Sequence, residues 1–94
     1  MIFEWDEAKR RANLAKHGVD FDLAHALDWS AALIETDARR DYRETRLTAY
    51  CPIDGRLHVL IFTHRPPAIR VISLRKANNK EVDKYENAPL PEHP

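Results

Sequence analysis

The residues of this 94-residue chain best suited to chemistry are cations. Arg46, Arg65, Arg70, Arg75 and Lys76 fall within residues 38–80, which carry ten Lys/Arg against three acids, about +7. Residues 1–37 hold eight acids against four Lys/Arg, and residues 81–94 hold four against one. The formal net charge of zero therefore hides a basic middle between acidic ends. Such a block points to an anionic partner. Guanidinium forks match phosphate oxygens, and cations crowded on a sheet repel one another unless an anion joins them. The competing reading is a solvated charge mix, each arginine paired with Glu35, Glu44 or a tail acid. That reading suits any single arginine better than it suits the group.

If the anion is RNA, such a surface can cut it without a metal. The 2′-hydroxyl is a built-in nucleophile that needs only positioning and deprotonation. Fixed Arg and Lys donors stabilise the charge gathering on the phosphate oxygens. A histidine titrating near neutrality can move the protons, and His64 and His17 are the candidates. For His17 a plainer role also stands, as a helix-end residue meeting the last carbonyls.

Other chemistries fit poorly. His58 and His64 lie six apart on one proposed strand, about 20 Å at ~3.3 Å per residue, too far to share a metal. There is no HExxH or Cys/His cluster, so no metal site is expected. Cys51, beside Pro52 and near a turn, reads as a structural thiol. As the one cysteine it excludes an internal disulfide and a CxxC site. Two glycines, Gly18 and Gly55, cannot build a phosphate loop. No cofactor is expected.

These residues need elements to hold them. Phe3-Glu4-Trp5 reads as a first strand. Asp6 caps a helix that runs to about His17 and stops at Gly18; Ala8, Ala12 and Ala15 lie on one face, with Leu14 at its edge. Asp20 caps a short second helix with Phe21, Ala24 and Leu27 at i, i+3, i+6. Residues 31–36 and 43–50 read as strands. Asp54-Gly55 then turns into 56–63, apolar on both faces at its centre and so a central strand. Pro66-Pro67 breaks the chain before a last strand over 68–74. Asn78 and Glu81 form a capping box opening a final helix with Val82 and Tyr85. The order is β-α-α-β-β-β-β-α, an α+β domain with a small antiparallel sheet and helices packed on one face.

The length suits one domain, here 1–87, with a Pro-rich C-terminal tail over 88–94. The composition, 44% hydrophobic and 32% charged, suits a folded soluble domain. No apolar run approaches the ~18 residues of a membrane span. The stretch Met1 to Asp6 lacks the regions of a secretory signal, so a cytoplasmic, reducing setting and no membrane partner are expected.

Three segments resemble the BrnT family of toxins. One is Phe3-Glu4-Trp5-Asp6-Glu7-Ala8-Lys9 with Asn13-Leu14-Ala15-Lys16-His17-Gly18-Val19-Asp20-Phe21. The second is Asp54-Gly55-Arg56-Leu57 with Val59-Leu60-Ile61-Phe62-Thr63-His64-Arg65. The third is Ile69-Arg70-Val71-Ile72-Ser73-Leu74-Arg75-Lys76-Ala77, followed by Glu81 and Tyr85. The resemblance spans about residues 3–86. It implies a RelE-like fold and a metal-independent endoribonuclease of a type II toxin–antitoxin pair that inhibits translation by cutting RNA. It also implies a BrnA-type ribbon-helix-helix antitoxin, with operator DNA met only through that partner. Carried over by position, it gives Arg46, His64, Arg65, Arg75 and Lys76 as catalytic. Lys16, His17, Arg43 and Arg70 are then expected to bind nucleic acid.

Two departures stand out. Family members often carry an acid where this chain has His64, which either substitutes for it or leaves activity impaired. Pro66-Pro67 replaces a more flexible turn. The alternatives are therefore a family member that binds antitoxin or RNA without cutting, and a scaffold whose basic face meets an acidic protein.

Overall fold

A computed structural model describes residues 1–37 and 44–89. In chain order it contains β1 (Ile2–Glu4), α1 (Glu7–His17), 3-10 helices at Phe21–Ala26 and Trp29–Ala31, β2 (Leu33–Thr36), β3 (Leu47–Ile53), β4 (Arg56–Arg65), β5 (Ala68–Lys76) and α2 (Asn79–Glu86). The strands form one five-stranded sheet in the order β1-β5-β4-β3-β2. Three pairings are antiparallel, and the edge strand β1 runs parallel to β5, so the sheet is mixed rather than purely antiparallel. The α+β class and the element order agree with the RelE-like expectation.

Local chemistry fixes the element ends. Asp6 accepts the Ala8 N–H at 3.2 Å to start α1. Gly18, at φ 71°, ends it by donating to the Leu14 carbonyl at 2.9 Å, a left-handed turn that glycine makes without steric cost. The stretch after Asp20 is a 3-10 helix rather than an α-helix. Buried Phe21, Ala24 and Leu27 recur every three residues, and three per turn is the 3-10 period. Asp28 caps a second 3-10 turn through Ala31, so β2 starts at Leu33. Asp54 (φ 48°) and Gly55 (φ 77°) make the β3–β4 turn. Pro66 and Pro67, joined by a cis bond, connect β4 to β5.

Helices cover both faces of the sheet, not one. On the first face, Val19, Phe21, Ala24 and Leu27 pack on Ala49, Cys51, Leu60, Phe62, Val71 and Leu74, flanked by Phe3, Trp5 and Trp29. On the second, Val82 and Tyr85 of α2 pack on Tyr50, Leu57, Val59 and Ala77. The physical reason is β4, where Val59 and Leu60 are both buried on opposite sides and both need cover.

The alanine face of α1 does not pack. Ala8, Ala12 and Ala15 are exposed, and the buried residue of the helix is Asn13. β1 pairs with β5 only as far as Arg70, so the outer edge of β5 beyond it needs another partner. Asn13 supplies one: its amide donates to the Leu74 carbonyl at 2.7 Å and its Oδ1 accepts the Leu74 N–H at 3.3 Å. The amide thus stands in for a missing strand.

Candidate active site

Strand alternation decides which cations meet. Thr63 stands opposite Arg70, and Arg70 opposite Glu4 on β1. Leu47 opposes Phe62, so Arg46, one residue earlier, continues the ladder toward Thr63. Two residues further along β4, Ile61 opposes Ser73 and Thr48; two more, and Val59 opposes Arg75 and Tyr50. Side chains two apart share a face. Arg46, Arg65, Arg70 and Arg75 therefore share the face that α2 partly covers. From the Arg70 row to the Arg75 row is about 13 Å at ~3.3 Å per residue, which makes a stripe rather than a single cluster.

His64 and Lys76 point the other way. His64 opposes Ile69 and Lys76 opposes His58, positions in phase with Leu60 and Leu74 on the α1 side, and both are exposed. Arg43 lies outside the described residues. Lys16 and His17 occupy the last turn of α1. His17 is one turn beyond Asn13, whose tether to Ser73 and Leu74 lays this end of the helix along β5. Burial, then the positive charges of Lys16 and Arg75, lower the His17 pKa below the usual 6.5. That favours a neutral imidazole within electrostatic range of Arg75.

Three of the four arginines face carboxylates. Arg75 gives both Nη groups to Glu81, at 2.7 and 2.8 Å. Arg65 makes a forked pair with Glu44, closest at 3.0 Å. Arg70 lies 3.9 Å from Glu4. Arg75 hangs over a groove of about 340 Å³ shared with Glu35, Asp37, Tyr50, Glu81 and Lys84. Lys84 bridges to Glu35 at 2.7 Å and sits 5.1 Å from the Tyr50 ring centre. Among the described residues no three His, Cys, Asp or Glu side chains gather as a metal site. Cys51 is buried, its thiol directed to the Asp28 carbonyl at 3.0 Å, and burial pushes its pKa to about 11. A thiol so placed is not a nucleophile at neutral pH.

Residues 5–81 match the family model of the ribonuclease toxin BrnT of type II toxin–antitoxin systems. The chain belongs to the BrnT family. The match takes in α1, β2 to β5 and the start of α2, hence all four arginines of the stripe and Glu81. Comparison with curated proteins finds no match. Membership in the BrnT family makes this a ribonuclease toxin of a type II system, which implies a cognate antitoxin. No helix among the described residues is long and apolar enough to cross a membrane.

The roles of four residues around the site were not visible in the sequence. Asn13 gave no signal, because nothing local marks an amide that will complete a distant strand. Glu81 was visible as a capping partner, but its bond to Arg75 was not. Lys84 and Tyr50 meet only because α2 folds back across β3.

Proposed function

We propose that this chain is a metal-independent endoribonuclease that inhibits translation by cutting RNA on the arginine-bearing face of its sheet. The observation that carries the proposal is that β4 and β5 turn Arg65, Arg70 and Arg75 to one face, which Arg46 continues from the start of β3, while His17 feels the charge of Arg75. In the proposed reaction the RNA phosphates lie along the stripe. His17 takes the proton of a 2′-hydroxyl. The 2′-oxygen bonds to the adjacent phosphorus, the bond to the 5′-oxygen breaks, and that oxygen takes up a proton. Arg75 donates to the non-bridging oxygens as their charge grows. Lys16, Arg46, Arg65 and Arg70 hold flanking phosphates; the exposed His64 and Lys76 lie within reach of a longer RNA that wraps the sheet edges, and Arg43, outside the described residues, is proposed to bind RNA as well.

A cytoplasmic protein with an open cationic face harms the cell that makes it. A BrnA-type ribbon-helix-helix antitoxin is proposed to cover that face or close it indirectly, meeting operator DNA itself. One observation favours a second reading, binding without cleavage: Arg65 and Arg75 already spend their forks on carboxylates.

The test is purified, antitoxin-free protein incubated with RNA in excess EDTA. Cleavage leaving 2′,3′-cyclic phosphate ends is expected. Arg75→Ala should lower the rate at least about a hundredfold, the usual loss when one transition-state donor goes. RNA bound but uncut would support the binder. Negligible RNA affinity at low salt would leave the scaffold.

A further inference from the structure

The groove beside Arg75 differs in charge from the face around it. Its lining holds three carboxylates, Glu35, Asp37 and Glu81, against two cations, Arg75 and Lys84. A phosphate gains little in such a place. The volume, about 340 Å³, lies at the small end of the ~300–1,000 Å³ of ligand sites, so it suits one flat ring system rather than a length of RNA. Arg75 belongs both to this lining and to the stripe, so the groove adjoins the proposed path of the phosphates. The uncharged part of a nucleotide is its base.

The polar groups of the groove come from three elements. Strand register sets Glu35 of β2 opposite Thr48 of β3, and Tyr50, two residues on, shares their face. α2 brings Lys84 to them. Its ammonium donates to Glu35 Oε1 at 2.7 Å and lies 5.1 Å from the Tyr50 ring centre. Tyr50 interacts with both partners. The side chains of Lys84 and Glu35 are 48% and 38% exposed, so a ligand in the groove can reach both. An ammonium carries three donors and a carboxylate about four acceptor sites. One bond between the two, and one from each to Tyr50, leave the pair a donor and acceptor sites to spare. A rotating ammonium needs no particular rotamer to use its third donor.

We infer that this groove is a nucleobase subsite in which Lys84 and Glu35 together read the edge of a guanine beside the phosphate that is cut. The inference rests on the RNA-cleaving role proposed for this face. Guanine offers O6 as an acceptor next to N1–H and N2–H₂ as donors, so O6 meets Lys84 and the two N–H groups meet Glu35. Adenine carries an amino donor where guanine has O6, which sets donor against ammonium. Cytosine and uracil each offer the carboxylate one donor group instead of two.

The test maps the cuts made by the whole chain on an RNA of mixed sequence. The preferred sites are then repeated with inosine, which lacks the N2 amino group, in place of guanosine. Phosphates next to guanosine are expected to be cut at least about tenfold faster than the others, the scale of one well-made base contact. Inosine should lose most of that preference. Glu35→Gln turns one acceptor into a donor, and Lys84→Met removes the ammonium but keeps an apolar stem. Each should bring the ratio near one. A bridge with a purely structural role would change the overall rate and leave the ratio as it was.

Equal cutting next to all four bases, or a preference for another base, overturns the inference. So does a guanosine preference that survives inosine or Glu35→Gln. If the parent chain cuts nothing, the cleavage reading fails and the groove is tested by itself, with guanosine and then uridine titrated into isotope-labelled protein. Amide shifts at Thr48, Tyr50 and Lys84 with guanosine and not with uridine keep the subsite; no shift, or the same shift with both, overturns it. Should either variant fail to fold by circular dichroism, the inosine comparison carries the same decision.

Discussion

At the residue scale the decisive feature is what surrounds each titratable group. His17 and His64 have the same side chain and different surroundings. His64 is exposed near the end of β4, on the side away from the arginine stripe. His17 is half-buried, and burial, then the charges of Lys16 and Arg75, lower its pKa. The consequence for pH has a definite sign. A lowered pKa keeps the imidazole neutral, and able to accept a proton, at pH values where a free histidine is already charged. As pH falls from 6.5 toward the lowered value, the unfolded chain binds the proton first, so the stability cost of His17 is absent above that window, grows through it and stays in full below it. The acid limb of kcat/KM should therefore lie below pH 6.5, and His17→Gln should remove it. A limb at or above 6.5 assigns the proton transfer to another group.

At the element scale the design turns on one incomplete strand pairing. β1 is three residues long, so β5 loses its outer partner after Arg70. α1 takes over through Asn13, and the same bonds set where His17 stands. Asn13→Ala leaves the Leu74 N–H and C=O facing a void. It should cost about 2–3 kcal/mol, the penalty of stranding buried backbone groups. The midpoint and slope of urea denaturation would measure this. A cost near zero would mean that water replaces the amide without loss. α2 is joined just as specifically, through the Asn78 cap, the Arg75–Glu81 pair and Lys84–Glu35. The element order and the cap residues were legible beforehand, because Asp6, Gly18, Asp54-Gly55 and Asn78 act within a few residues of themselves. The face that α1 buries was not. Its alanines suggested a packing stripe, but the need was for one amide against an open strand edge.

At the scale of the whole molecule, a neutral chain becomes a charged surface by segregation. The basic middle of the sequence runs from before β3 to the start of α2, and strand alternation in β4 and β5 sends Arg65, Arg70 and Arg75 to one face, which Arg46 continues just before β3. Binding of single-stranded RNA releases counterions, with a slope of log affinity against log salt near −0.7 for each phosphate neutralised. Four arginines bound the slope at about −3, and the carboxylates on Arg65 and Arg75 should bring it to about −1 to −3. Filter binding over a salt series checks this, and a flat response removes RNA as the ligand of this face. The fold beneath the stripe is stiff where it must be: Leu60 and Leu74 are fully buried, each contributing about 1.5–3 kcal/mol.

The sequence by itself determined the α+β class, the element order, the helix caps, the structural Cys51 and the basic block that points to an anionic partner. Each of these depends on residue type or on neighbours within one turn. The resemblance carried by the Lys16–Val19 and Ile69–Ala77 segments reached the family. Only the tertiary structure decided which cations share a face. It put Arg46, Arg65, Arg70 and Arg75 on one face and Lys76 and His64 on the other. It brought His17 within electrostatic range of Arg75, and it paired that arginine with Glu81. Those relations depend on strand register and on which face each helix covers, and both are set by contacts between residues far apart in the chain.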